Sequence, residues 1–229
     1  KQMSKKKIAI QGELGAYSHI AAENLYKDSE IKTCTTFEET FKQAYNDPSY
    51  KIVIPIENSL AGRVADIHYL LPKYKLQIHG EHFQAVEHNL LCKPDATISD
   101  IKFVRSHAQA IGQCQNLITK KKFKPIISAD TAGSAKDLAE GKDKTIAAIA
   151  SELSAKIYNL KILEKNIEDE KGNVTRFLIM GKNIEQPEFK EEKKFITSCI
   201  FRVKSEPSAL YKCLGGFATN QVNLTKLES

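Results

Sequence analysis

Gly172-Asn173-Val174-Thr175-Arg176-Phe177-Leu178-Ile179-Met180-Gly181 is a polar turn running straight into an apolar, strand-like run, with a hydroxyl and a guanidinium at the junction. In alternating α/β folds, ligands bind where strand ends meet loops. Thr175 can donate and accept a hydrogen bond, and Arg176 offers a planar donor fork suited to a carboxylate. An ordinary half-exposed strand start has the same composition. The stretch decides the fold only together with the chain that leads to it.

Upstream, strand and helix signals alternate. A short buried strand at 8–10 enters the turn Gln11-Gly12-Glu13-Leu14-Gly15-Ala16-Tyr17, and Ser18 reads as the N-cap of a helix to about residue 26. Strand, glycine loop and helix N-terminus is a common anion-binding order, and a plain βα turn accounts for it as well. Neither GxGxxG nor GxxxxGK[ST] occurs, so a nucleotide is not indicated. After a strand at 31–35, Thr36 and Glu39 make a capping box for a helix carrying Phe37, Phe41, Ala44 and Tyr45. Residues 50–56 are an apolar run of the kind buried on both faces of a parallel sheet. That run delivers Glu57, Asn58 and Ser59 at the sheet's carboxyl edge, a cluster suited to a polar ligand or to a helix cap. Val64, Ile67 and Leu71 then trace a helical stripe, which Pro72 is expected to stop.

Residues 76–92 are extended and contain His79 and His82. A separation of three on a strand puts these on opposite faces, so no metal site is expected. Lys93-Pro94-Asp95 turns the chain into a second lobe with a strand at 101–104. Ser106-His107-Ala108-Gln109 reads as a capping box for one helix with Ala110, Ile111, Cys114, Leu117 and Ile118 on a face. A strand at 126–127, a helix from the Asp130-Thr131 turn to Gly141, a strand at 145–150 and a helix from Ser151 follow. So many βα repeats predict an α/β fold with largely parallel sheets. The extended passages near 80–92 and 160–168 read as two crossings between lobes. The opening stretch then returns to complete the N-terminal lobe, which places Thr175 beside a central cleft. This gives a catalytic domain over 7–182, a Lys/Glu-rich linker over 183–194, and a strand, helix and strand over 195–229.

Bulk properties bound the function. The chain has 229 residues, 41% of them hydrophobic, enough for one large or two smaller cores. No run approaches the roughly 18 apolar residues of a membrane span, and the basic N-terminus lacks the apolar stretch of a secretory signal. Five cysteines with no CxxC pair read as reduced thiols of a cytoplasmic protein. The net charge of +6 is almost all lysine, and the basic clusters Lys5-Lys6-Lys7 and Lys120-Lys121-Lys122 are not interleaved with aromatics. It favours encounter with a small anion and does not call for nucleic acid.

Several segments together resemble the prephenate dehydratase family: Gly12-Glu13-Leu14-Gly15-Ala16-Tyr17-Ser18-His19, Val53-Ile54-Pro55-Ile56-Glu57-Asn58-Ser59 and Gly80-Glu81. Ser106-His107-Ala108-Gln109-Ala110, Ala147-Ala148-Ile149-Ala150 and Asn173-Val174-Thr175-Arg176-Phe177 complete the set, in family order over nearly the whole chain. The resemblance implies a two-lobed, periplasmic-binding-protein-like catalytic domain with a central cleft, followed by an incomplete α+β, ferredoxin-like ACT domain. It implies a carbon–oxygen hydro-lyase of phenylalanine biosynthesis that converts prephenate to phenylpyruvate, with no cofactor and no metal. Thr175 is then placed at the leaving hydroxyl, as donor and proton relay. Arg176, Asn58, Ser59, Ser106, Gln113 and Thr131 are anchors for the dianionic substrate, and Glu57 is an acid or a structural hydrogen-bonding group.

The alternatives are an arogenate dehydratase and a non-catalytic small-molecule-binding protein of the same fold. The resemblance also implies a homodimer or homotetramer inhibited allosterically by phenylalanine, bound near Ala209, Leu210, Glu228 and Ser229. Ala108 stands where the family usually has Pro, without expected consequence. Ser208 stands where it usually has Gly and is expected to weaken effector binding. The tail matches only the first half of an ACT domain, so a protein ending at Ser229 is expected to keep its chemistry and respond poorly to phenylalanine.

Overall fold

The computed structural model describes residues 5–183 and 187–228. They form two compact units, Lys1–Glu188 and Phe189–Ser229. In the first unit the elements run β1 (Lys7–Gln11), α1 (Tyr17–Leu25), β2 (Glu30–Cys34), α2 (Phe37–Asn46), β3 (Tyr50–Asn58), β4 (Gly62–Arg63), α3 (Ala65–Tyr74) and β5 (Gln77–Ala85). The chain then enters β6 (Asn89–Cys92), β7 (Phe103–His107), α4 (Ala108–Gly112), α5 (Gln115–Lys121), β8 (Lys124–Ser128), α6 (Thr131–Glu140), β9 (Ile146–Ala150), α7 (Glu152–Ile157) and β10 (Lys161–Glu164), before β11 (Val174–Gly181).

Two sheets organise these elements into two lobes. The first has the order β2-β1-β3-β11-β5 with β4 on β3, and the second β10-β6-β9-β7-β8. The chain therefore leaves the first lobe through residues 86–88 and returns through 165–173. The sheets are mixed rather than largely parallel. β1 runs parallel to β2 and β3, but β11 is antiparallel to both β3 and β5. In the second sheet β7 is parallel to β8 and β9, while β6 is antiparallel to β9 and β10. Parallel pairing needs a crossover on the sheet's own face, whereas a strand arriving from the other lobe enters from the opposite end.

Period-two alternation builds a core on each face of the first sheet. Ile52, Ile54, Leu178 and Met180 pack with Phe41 and Ile67 on the α2–α3 side. Val53, Phe177 and Ile179 pack with Ile8, Ile10, Ala21 and Ala22 on the α1 side. Phe41 is fully buried, and truncating it to alanine would cost about 3–5 kcal/mol through the cavity left behind.

Among the local signals, the capping box at Thr36 is formed. Thr36 Oγ1 accepts from Glu39 N at 3.1 Å, and Glu39 Oε2 reaches back to Thr35 N at 2.8 Å. Ser18 is not an N-cap: α1 starts at Tyr17 after Ala16, and the buried Ser18 hydroxyl donates to Gln11 O at 3.3 Å. Pro72 does not stop α3, which runs to Tyr74, although the ring removes one i→i−4 hydrogen bond from the helix. The cap expected at Ser106 is His107, since β7 continues through that residue. Ala108 is the first residue of α4, the position where proline costs a helix nothing.

The single helix expected after Ala108 is broken at Gln113–Cys114. The break is made from outside. Asp169 N donates to Gln113 O at 2.7 Å, and the Asp169 carboxylate receives Asn116 N at 3.1 Å, so the returning crossing caps α5.

The second unit contains α8 (Ala209–Thr219), none of whose residues is buried. Ser208, in the usual glycine position, holds φ +66°, a left-handed conformation that glycine adopts without strain. The strands expected at 195–203 and 222–228 are not formed among the described residues. A strand exists through its ladder, and no strand ladder is formed over these stretches among the described residues.

Candidate active site

The register of β11 separates the two residues of the opening signature. Thr175 pairs with Asn58 on β3 and Gln84 on β5, on the face that Phe177 and Ile179 turn toward α1. Arg176 lies on the other face, with Leu178 and Met180. Its Nε donates to Glu81 Oε2 at 2.7 Å, and its Nη1 lies 3.4 Å from Glu57 Oε1. The fork is engaged by two carboxylates and turned away from the threonine.

Thr175 is instead the end of a hydrogen-bonded chain. Asn58 Oδ1 accepts the backbone N–H groups of Leu60 at 3.0 Å and Ala61 at 2.9 Å, which fixes the orientation of its amide. Asn58 Nδ2 then donates to Thr175 Oγ1 at 3.0 Å and to Asn173 Oδ1 at 2.7 Å. Asn173 Nδ2 donates to Gln113 Oε1 at 3.1 Å, and the same oxygen lies 2.9 Å from His88 Nε2. His88 Nδ1 faces the Tyr17 hydroxyl at 3.0 Å, which also reaches Glu87 O at 2.6 Å. Because Thr175 Oγ1 receives its bond, its own proton is left for another acceptor.

The chain of bonds spans both lobes. Asn58, Thr175 and Tyr17 belong to the first, Gln113 to the second, and His88 and Asn173 to the crossings. Burial lowers the His88 pKa below the ordinary 6.5, with Gln113 and Glu168 opposing, so the ring is neutral. Burial, reinforced by Glu168, raises Tyr17 well above 10.0, which keeps the phenol protonated. A cavity of about 370 Å³ opens beside this chain, lined by Leu60, Ala61, Gln109, Gly112, Gln113, Asp169 and Glu170.

The other expected anchors lie elsewhere in the scaffold. Ser59 Oγ accepts from Val174 N at 2.9 Å and clamps the turn before Thr175. Ser106 is fully buried and donates to Ile149 O at 2.7 Å. Thr131 opens α6, whose cap is Asp130, accepting from Gly133 N at 2.6 Å. The Gly12–Tyr17 loop presents carbonyls, not N–H groups, to the second lobe. Gly15 O accepts from Ser151 at 2.6 Å and Ser154 at 3.1 Å, and Leu14 O accepts from Tyr158 at 2.8 Å. Through these carbonyls the loop joins the lobes. Of the proposed effector residues, Leu210 is exposed at the start of α8 and Ala209 half-buried. Glu228 pairs with Lys226 at 3.1 Å, and Ser229 lies outside the described residues.

Sequence reading missed His88, Asn173 and Tyr17 as members of the site. Asn173 carried a signal: two residues before Thr175, it shares that residue's face by the strand period. His88 carried none, because its partners are brought to it by the lobe crossing.

The family model described as prephenate dehydratase matches residues 8–185. The chain belongs to the prephenate dehydratase family. It is 41% identical over 225 residues to a bifunctional N-acyl-homoserine lactone acylase/prephenate dehydratase of Komagataeibacter europaeus, covering 97% of this chain and 79% of that one. It is also 41% identical over 226 residues to an arogenate dehydratase/prephenate dehydratase of Arabidopsis thaliana, covering 99% of this chain but 59% of the plant protein. The prephenate dehydratase of Arthrobacter aurescens solved with L-Phe superposes with a TM-score of 0.83 at 25% identity, over 97% of this chain and 75% of that one. Within the family, the two-lobed α/β architecture and the Asn58–Thr175 contact of this chain occupy its matched region. Among the described residues no helix is long and apolar enough to cross a membrane.

Proposed function

We propose that this chain is a prephenate dehydratase, with Thr175 as the donor at the leaving hydroxyl. In this reading the ring carboxylate leaves as carbon dioxide, and the C–C bonding pair moves into the ring. The C–O bond opposite breaks, and the departing hydroxyl takes a proton as water. The observation that carries the reading is the bond from Asn58 Nδ2 to Thr175 Oγ1, 3.0 Å, which turns the threonine proton outward. A donor aimed where negative charge develops lowers the barrier, whereas an equally good donor at the ring carboxylate would stabilise charge that must disappear. Thr175 itself is too weak an acid to be the proton's ultimate source, and the carboxamides behind it do not relay protons. The hydroxyl therefore draws its proton through Thr175 from water.

Substrate anchoring falls to neutral donors, Gln113 foremost, because Arg176 is already paired with Glu57 and Glu81 and both Asn58 Nδ2 protons are given to Thr175 and Asn173. Arg176 and Glu57 are thus assigned a structural role, and Ser59, Ser106 and Thr131 hold the walls of the cleft. Binding of phenylalanine belongs to the same reading, supported by the L-Phe complex of the Arthrobacter protein, and inhibition through the second unit and assembly as a homodimer or homotetramer are proposed with it. Five free cysteines suit a reducing, cytoplasmic setting. Incubation with prephenate and with arogenate, following phenylpyruvate and phenylalanine, tests the reading. Faster turnover of prephenate supports it; turnover of arogenate alone, or of neither, overturns it.

A further inference from the structure

The polarity of the hydrogen-bonded chain is fixed from one end. Backbone N–H groups can only donate, so Leu60 and Ala61 hold Asn58 Oδ1 and leave Asn58 Nδ2 as the donor. Asn173 Oδ1 must then accept from Asn58, which leaves Asn173 Nδ2 to donate to Gln113. The Gln113 atom facing Asn173 and His88 must be its oxygen; a flipped amide would set its NH2 against the Asn173 NH2. His88 Nε2 must then carry a proton, and Nδ1 is left as an acceptor that shares the single Tyr17 hydroxyl proton with Glu87 O, 2.6 Å from that hydroxyl. Gln113 lines the cavity, its oxygen is held by two donors, and its NH2 has no hydrogen-bond partner among the described residues.

We infer that His88, acting through Gln113, is a positioning residue: its Nε2–H tautomer keeps the Gln113 amide NH2 facing the cavity as a donor to an anionic group of the substrate. The opposite tautomer would let Gln113 rotate and show its oxygen to a carboxylate, which repels it. The inference deepens the proposed function and rests on it for the identity of the anion, but the tautomer is a property of the protein alone.

Nitrogen NMR of the uniformly labelled wild-type protein at neutral pH reads the tautomer directly. Nε2 is expected to be the protonated nitrogen of His88 and Nδ1 the bare one; the reverse would overturn the inference whatever the enzyme's activity. In kinetics, His88→Phe removes the donor and is expected to raise KM for prephenate about tenfold, the worth of one hydrogen bond to a charged group, with kcat little changed. His88→Gln, which can put an NH2 on Gln113 Oε1, should restore most of the loss at a melting temperature close to that of His88→Phe. A folded His88→Phe protein with unchanged KM, or a KM that follows melting temperature across both variants, would overturn the positioning role.

Discussion

Replacing Asn58 by aspartate changes the chemistry of one atom and almost nothing of the shape. The aspartate keeps an oxygen to accept Leu60 N–H and Ala61 N–H, so the turn after β3 retains its anchor. The second oxygen replaces Nδ2, which stands 3.0 Å from Thr175 Oγ1 and 2.7 Å from Asn173 Oδ1. Thr175 then gives its proton to the new carboxylate and no longer offers it to a leaving hydroxyl. Losing one donor to a developing charge costs roughly 10²–10³ in turnover, about 2.7–4 kcal/mol. The added charge beside the cleft should also raise KM for a dianionic substrate. Facing oxygens at Asn173 can be relieved by an amide flip there, which passes the conflict to Gln113 and His88, so stability should fall by about 1–3 kcal/mol. Phenylpyruvate formation from prephenate measures the first effect, and thermal melting the last. A folded Asn58→Asp protein with near-normal turnover would refute the reasoning that Asn58 sets the direction of the Thr175 hydroxyl.

Arg176→Lys should leave kcat and KM close to wild type while lowering stability by about 2 kcal/mol, because lysine cannot bridge both Glu57 and Glu81; melting and kinetics on one preparation check it. Gly15→Ala should destabilise by at least about 2 kcal/mol, since Gly15 holds φ +93° and an added Cβ would lie 2.8 Å from Ser154 Cα. Its effect should appear in denaturant unfolding as a lower midpoint. Both His19 and His88 are buried, and burial lowers their pKa values below 6.5 in the folded protein. The unfolded chain therefore takes up protons first as pH falls below about 6.5, so their contribution is complete above that pH and is lost on acidification toward the folded values. Melting temperature measured from neutral pH to about pH 5 should decline, and a flat profile would contradict this account.

The fold was legible where one segment carries its own pattern. The apolar run of β3, the capping box at Thr36 and the return of β11 to the first lobe all follow from period, caps and polar turns. What stayed hidden depends on partners far along the chain. The break between α4 and α5 is made by Asp169, more than fifty residues downstream, and local periodicity reads straight through it. Arg176 looked like a carboxylate anchor because it neighbours Thr175, yet strand alternation sends adjacent side chains to opposite faces. The carboxamide chain behind Thr175 joins residues 58, 173, 113 and 88, and only lobe closure brings them together. Antiparallel entry of β11 was missed for a related reason, since a βα rhythm says nothing of a strand arriving from another lobe.

The most direct test of the central claim is the steady-state kinetics of Thr175→Val with prephenate. Valine keeps the shape and β-branching of threonine, so the sheet and the Asn58 turn should survive, with a melting temperature close to wild type. Loss of the hydroxyl removes the donor from the transition state. The account predicts kcat lower by roughly a hundredfold or more, with KM changed far less. Near-normal kcat in the folded Thr175→Val protein, or a loss confined to KM, would contradict it.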